Sequence, residues 1–173
     1  LNLVAQLAAT GKPVVLVLIE GRPRIIRPIV DKAGAILMGY LPGQEGGTAI
    51  ASVLFGDVNP SGKLSFTYPK YTGDFTLYDH KNSEKYDPQW SFGQGLSYTT
   101  FGYANLKLGA KTIAKGDALA VSVDVTNTGK TAGKEIVQLF LRDQVRSVTP
   151  PTRQLKGFTK IDLKPGETKT VKL

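Results

Sequence analysis

The side chains best suited to chemistry crowd into one segment. Ten of the fifteen aromatic residues lie between Tyr68 and Tyr103, among them the only tryptophan, Trp90, and the same stretch holds the only histidine, His80. Rings stack on the apolar faces of a bound molecule while nearby polar groups hold its hydroxyls, so this composition suits the wall of a pocket. Trp90, Phe92, Tyr98 and Phe101 also read as the packing of an interdomain seam, and His80 as a loop hydrogen-bonding residue. With a single histidine and no cysteine, neither a histidine metal pair nor a thiolate ligand or nucleophile can be assembled, and no cofactor or metal is expected.

The elements around that segment change character along the chain. Leu3, Val4, Leu7 and Ala8 form a stripe of helical period, and Gly11 stands where a helix would stop. Pro13 to Ile19 is a continuous β-branched run, the pattern of a strand covered on both faces of a parallel sheet. Arg24 to Lys32 reads as a short helix interrupted by Pro28, and Ala35 to Met38 as the next strand, which makes an α/β layer. Gln44 and Glu45 then precede a helix over Thr48 to Phe55, whose start falls at the carboxyl end of a strand, where ligands bind in open α/β sheets. Glu45 is either a first-turn acid complementing the helix dipole or, with Gln44, a polar group facing a ligand. Arg22, following Glu20, is expected to form an ion pair that fixes its loop.

Asp57 to Lys63 is a turn-rich loop leading to a short strand at Leu64 to Thr67, after which periodicity disappears until about Tyr103. Structureless stretches of that length carry function or connect domains. Period two follows: Leu119, Val121, Val123 and Val125 face one way, and Ala120, Ser122 and Asp124 the other. Further strands are expected at Glu135 to Leu141, Leu155 to Leu163 and Thr168 to Leu173, the outline of a β-sandwich. Since such a sandwich needs about 100 residues, and only 71 remain from Tyr103, a cut C-terminus is expected; a cut N-terminus is expected because Leu1 to Val4 reads as mid-helix. The predicted domains are 1–67, 68–102 and 103–173.

The composition, 41% hydrophobic and 21% charged, is that of a packed globular chain. The longest apolar run, Val14 to Ile19, is too short to span a bilayer, so no membrane partner is expected. The net charge of +8 would by itself point to a polyanion, but its distribution argues otherwise. Residues 1–102 carry nine Lys/Arg against eight Asp/Glu, and residues 103–173 carry thirteen against six. The lysines of the second part are scattered and lack interleaved aromatics, so they read as a solvated surface that resists aggregation and not as a nucleic-acid track.

Several ordered motifs carry a resemblance to a known family. They are Gly11-Lys12-Pro13-Val14-Val15-Leu16-Val17-Leu18, Pro42-Gly43-Gln44-Glu45-Gly46-Gly47, Val53 to Leu64 with its Asp57-Val58-Asn59-Pro60-Ser61-Gly62-Lys63, Phe92 to Phe101, Val125-Thr126-Asn127-Thr128-Gly129, Gln154-Leu155-Lys156-Gly157-Phe158 and Leu163 to Thr168. Together they cover nearly the whole chain, which resembles the C-terminal half of family 3 glycoside hydrolases, in particular the bacterial periplasmic β-glucosidases. One departure is Gln94, which stands where a tyrosine is common.

The resemblance implies the end of an α/β sandwich domain followed by an incomplete fibronectin type III-like β-sandwich. It also implies a retaining β-glucosidase acting on terminal β-D-glucosyl residues of oligosaccharides or glucosides, in the periplasm or outside the cell. A related β-xylosidase and a non-catalytic carbohydrate-binding module are the alternatives. Retaining chemistry needs two carboxyl groups about 5–5.5 Å apart. The family's aspartate lies on a barrel domain and its glutamate upstream of Leu1, so Glu20, Glu45, Asp57, Asp74, Asp79, Glu84 and Asp87 match no catalytic motif. No catalytic residue is therefore assigned, the chain alone is expected to be inactive, and the barrel is its expected partner. Leu77-Tyr78-Asp79-His80-Lys81-Asn82 resembles a segment that approaches the active-site entrance, which makes Tyr78, His80, Lys81 and Trp90 the candidate substrate-side contacts.

Overall fold

The computed structural model describes residues 1–74, 77–144 and 147–173; Phe75, one of the rings of the aromatic segment, lies outside them. The chain is α/β at first and all-β afterwards. It divides into two compact units that interleave in sequence: Leu1–Asp57, Ser65–Tyr78 and Lys85–Phe92 in the first, and Val58–Leu64, Asp79–Glu84 and Gly93–Leu173 in the second.

In the first unit α1 (Asn2–Ala9) stops at Thr10, followed by Gly11 at φ 75°, a left-handed conformation that glycine adopts without steric cost. β1 (Val15–Leu18) and β2 (Ala35–Met38) pair in parallel, Val15 opposite Ala35 through Leu18 opposite Met38. Parallel pairing requires a crossover, supplied here by α2 (Arg27–Val30). Pro28 does not interrupt that helix; it lies in the first turn, where its missing N–H is one of the donors left without an intrahelical acceptor anyway. α3 (Gly46–Leu54) begins two residues before Thr48, so Glu45 is the residue capping the helix and not a member of its first turn. The β1–β2 pair is only half-buried, with Val15 and Ile19 exposed.

The second unit is built of two antiparallel sheets, β3-β4-β7 and β5-β6. β3 is Phe101–Leu108, β4 Val121–Asn127, β5 Gly133–Leu141, β6 Gln154–Leu163 and β7 Thr168–Lys172. The alternation over 121–125 turns Val125 into a core built with Val137, Leu163 and Val171, against which Phe101, Val123, Ile161 and Leu173 pack. Burial of each such side chain contributes roughly 1.5–3 kcal/mol, which is what the period-two pattern is selected to supply. Asn127 lies among them fully buried.

Leu64 to Thr67 is not a strand. Leu64 instead exchanges backbone hydrogen bonds with Gly93 and Gln94, at 2.8 Å each, inside the second unit. The preceding Asn59 donates its amide to the Ala132 carbonyl (2.9 Å) and accepts from Ser97 Oγ and the Tyr98 N–H (2.8 Å each). Lys63 reaches Glu135 at 3.1 Å and the Gly95 carbonyl at 2.8 Å, and Tyr103 donates to the same glutamate at 2.9 Å. A loop that sequence rules read only as a turn is thus fastened along β5 and the segment before β3.

Candidate functional site

In the first unit the aromatic segment is organised around Tyr68. Its backbone exchanges hydrogen bonds with Trp90 and Gln89 (2.9 and 3.0 Å), forming an isolated antiparallel bridge to Trp90. That bridge sets the rings in a chain: Tyr40 edge-on to Phe66 at 6.1 Å, Phe66 tilted to Tyr68 at 6.0 Å, and Tyr68 edge-on to Trp90 at 5.0 Å. Tyr78 stacks separately on Phe92, with centroids 4.4 Å apart and planes 25° apart. The two rings proposed from sequence, Tyr78 and Trp90, are therefore half-buried residues with different aromatic partners.

Tyr68 itself is fully buried, and its hydroxyl donates to the Arg24 carbonyl at 2.8 Å while the Arg24 N–H donates to it at 3.2 Å. Glu20 Oε1 also accepts the Arg24 N–H (3.2 Å), and its other oxygen lies 3.8 Å from the Arg24 guanidinium. Arg24, not Arg22, is the ionic partner of Glu20, since a spacing of four lets its own N–H reach the carboxylate. Desolvation pushes the Tyr68 phenol up to about 12.

Two measurements on Tyr68 follow. Tyr68→Phe deletes the two hydrogen bonds with Arg24 and a longer one to Glu20 Oε1 (3.5 Å) and is expected to cost about 1–2 kcal/mol, read as a lower urea midpoint at unchanged slope. The raised proton affinity acts above pH 10, where the unfolded phenol ionises and the folded one does not. The stability Tyr68 contributes is full below pH 10 and falls between pH 10 and 12, a decline that Tyr68→Phe is expected to reduce.

Next to this hub, the Tyr71 ring is flanked by Arg27 at 4.7 Å, Lys70 at 5.7 Å and Lys85 at 5.8 Å. Asp87 accepts from Lys70 (2.8 Å) and from the Tyr71 hydroxyl (3.3 Å), bonds that hold its carboxyl below the usual range. An ionised, hydrogen-bonded aspartate of this kind orients its neighbours and is a poor proton donor.

In the second unit lie the other two proposed residues, His80 and Lys81. The His80 carbonyl accepts the Thr152 N–H (2.8 Å), Lys81 pairs with Pro151 in an isolated bridge, and the Lys81 N–H donates to Glu84 Oε2 (3.0 Å). Thr152 Oγ1 further donates to Asn82 Oδ1 at 3.1 Å. The His80 to Asn82 stretch is in this way stitched to the chain just before β6. Sequence reasoning did not single out Tyr68 or Asn82; the concentration of rings around Tyr68 was the only available signal for the former. No group of three or more His, Cys, Asp or Glu able to hold a metal occurs among the described residues. Among the described residues no helix is long and apolar enough to cross a membrane.

Residues 1–98 match the glycosyl hydrolase family 3 C-terminal domain and residues 135–173 the fibronectin type III-like domain. Among curated relatives, a lysosomal β-glucosidase of Dictyostelium discoideum is 47% identical over 98% of the chain and 22% of its own length. A periplasmic β-glucosidase of Salmonella typhimurium is 44% identical over 98% of the chain and 25% of its own length. A β-xylosidase of Formosa agariphila matches at 44% identity with the same two coverages. Among solved structures, a β-glucosidase of Erythrobacter marinus superposes with a TM-score of 0.93 at 42% identity, over 99% of the chain and 24% of its own. The chain thus spans about a quarter of the length of the proteins it matches. With the family domain covering 98 of its 173 residues and the sandwich module following it, this chain belongs to glycosyl hydrolase family 3, whose C-terminal domain it carries.

Proposed function

We propose that this chain is the C-terminal part of a retaining β-glucosidase that releases terminal β-D-glucosyl residues from oligosaccharides or glucosides. The observation that carries the reading is the likeness to β-glucosidases along 98% or more of the chain, at sequence and backbone level together. The nucleophilic and acid/base carboxylates would come from outside these residues, with a barrel domain as the partner of this part. Residues 1–67 would close the α/β sandwich, 68–102 connect, and 103–173 form the sandwich module. Tyr78, His80, Lys81 and Trp90 would line the substrate side, the rings against sugar faces and the polar groups toward hydroxyls. A periplasmic or extracellular location accords with the Salmonella relative.

The second reading, a β-xylosidase, is favoured by the Formosa relative. Glucosides and xylosides differ at one hydroxymethyl group, and a pocket that hydrogen-bonds its hydroxyl discriminates against the sugar lacking it. The test is hydrolysis of aryl β-glucoside and β-xyloside by the protein that contains this chain together with a barrel. Faster turnover of the glucoside, with the β-anomer appearing first by proton NMR, is the expected result. A first-formed α-anomer would refute retention, and xyloside preference would decide for the second reading.

A further inference from the structure

Three cations of the first unit face one ring. Arg27 lies 4.7 Å from the centroid of Tyr71, Lys70 5.7 Å and Lys85 5.8 Å. They come from separate stretches of chain: the first residue of α2, the residue before the ring, and the segment that returns to this unit at Lys85. Cation–ring pairs occur about once per 70–80 residues, so three on a single ring is a concentration of like charge that packing alone does not require. Of the three, Lys70 alone is neutralised. It holds Asp87 at 2.8 Å, and the Tyr71 hydroxyl donates to the other oxygen of that carboxylate at 3.3 Å, which fixes the ring. The Asp87 hydrogen bond raises the proton affinity of Lys70, against which desolvation and the Arg27 charge act. Asp74 turns its Oδ2 to the Tyr71 N–H at 2.9 Å. Among the described residues neither Arg27 nor Lys85 forms an ion pair, and the residues outside them, Phe75, Thr76, Val145 and Arg146, include no carboxylate that could supply one.

The two cations without a carboxylate select a chemical class. Both side chains are exposed, so solutes reach them. The planar guanidinium presents paired N–H groups that match two oxygens of one anion, and the lysine adds a point charge. Carboxylate, sulfate and phosphate groups share the chemistry that such a pair recognises. A nucleic-acid track would need a row of phosphate contacts and rings open to bases, whereas here one ring is flanked by cations. We propose that Arg27 and Lys85, gathered at Tyr71, bind an oxyanion group, borne either by a sugar acid or by free sulfate or phosphate. Lys70 and Asp87 hold the ring to which the two cations are drawn and take no part in the binding. The site is independent of the glucosidase reading, since a terminal glucosyl residue carries no charge.

The test is titration of the 173-residue chain with sodium glucuronate, sulfate and phosphate, at an ionic strength held fixed by sodium chloride, followed by amide and guanidinium NMR shifts. Glucose is the uncharged control. Saturable shifts gathered on Arg27, Tyr71 and Lys85 are expected with an oxyanion, and none with glucose. Saturation at a lower concentration of glucuronate than of sulfate or phosphate assigns the site to a sugar acid, and the reverse order assigns it to the inorganic anion. Arg27→Gln and Lys85→Gln are each expected to weaken binding about tenfold, with an unchanged circular dichroism spectrum. Should Arg27→Gln alter that spectrum, Lys85→Gln, which lies outside any helix or strand, carries the test. Full affinity in both variants, shifts that rise linearly and equally for every anion, or shifts spread over the lysines of the second unit would overturn the site. The hydrolysis assay on the longer protein judges the glucosidase reading separately.

Discussion

Nitrophenyl β-glucoside incubated with the purified 173-residue chain is expected to stay intact, the loss relative to a complete retaining glucosidase being the whole enzymatic acceleration, at least about 10⁶-fold. The chemistry needs one carboxyl that stays protonated at working pH, to donate to the departing oxygen, beside a second that is ionised. Among the described residues, the carboxyls whose proton affinity is shown displaced, Asp87, Asp124 and Glu167, are held low, by Lys70, by Thr170 with Asn105, and by the Lys164 N–H respectively. Each is fixed in its ionised form, the wrong direction for an acid catalyst. Glu20 is occupied with the Arg24 N–H, and Glu135 lies nearly buried against Lys63 and Tyr103. Glu45, the stand-in acid weighed from sequence, is exposed at the start of α3, where nothing shields it from water. Release of nitrophenol at ordinary enzymatic rates, about 1–10³ per second, would mean that a working pair exists among these acids.

What could be read from the sequence depended on how local its cause was. The stop at Gly11, the strand Ala35–Met38 and the alternation through Val125 are dictated within a few residues, and the structure has them as expected. β3 was hidden because its register slips between Ala104 and Lys107 and Asn105 adopts a positive φ of 53°, so Phe101–Leu108 shows no clean period of two. The start of α3 was hidden for the opposite reason. Gly46 and Gly47 are poor helix formers, yet Gly46 stands where a Cβ would come within 2.5 Å of the Pro42 ring, so packing and not propensity chose it. In the candidate site the crowding of rings was legible, but their partners were not. That Tyr78 takes Phe92 while Trp90 takes Tyr68 follows from a bridge 22 residues long in sequence, between Tyr68 and Trp90, that no local pattern announces.

The same contrast between local motif and distant contact gives the substitution expected to be most damaging to the fold. Asn127, in the Val125-Thr126-Asn127-Thr128-Gly129 motif, reads from sequence only as the start of a turn. It is fully buried, and its side chain ties its own turn to two distant segments: Oδ1 accepts from Thr99 Oγ1 (2.6 Å) and the Gly129 N–H (3.1 Å), and Nδ2 donates to the carbonyls of Thr131 (2.9 Å) and Leu163 (3.1 Å). Asn127→Ala leaves these four partners without their bonds in a place water does not reach, which costs about 1–3 kcal/mol for each group that stays unsatisfied. Allowing for relaxation, a loss of about 3–4 kcal/mol is expected, or roughly 10 °C in Tm for a chain of this size. Asn127→Asp is expected to do no better at neutral pH. It keeps the acceptor for Thr99 but turns a carboxylate oxygen toward two carbonyls that had been receiving N–H groups, and it buries a charge with no cation beside it. Urea unfolding of the two variants against the parent chain checks both statements, and midpoints within about 0.5 kcal/mol of the parent would show that the hub is not what joins β4 to the segment before β3 and to the end of β6.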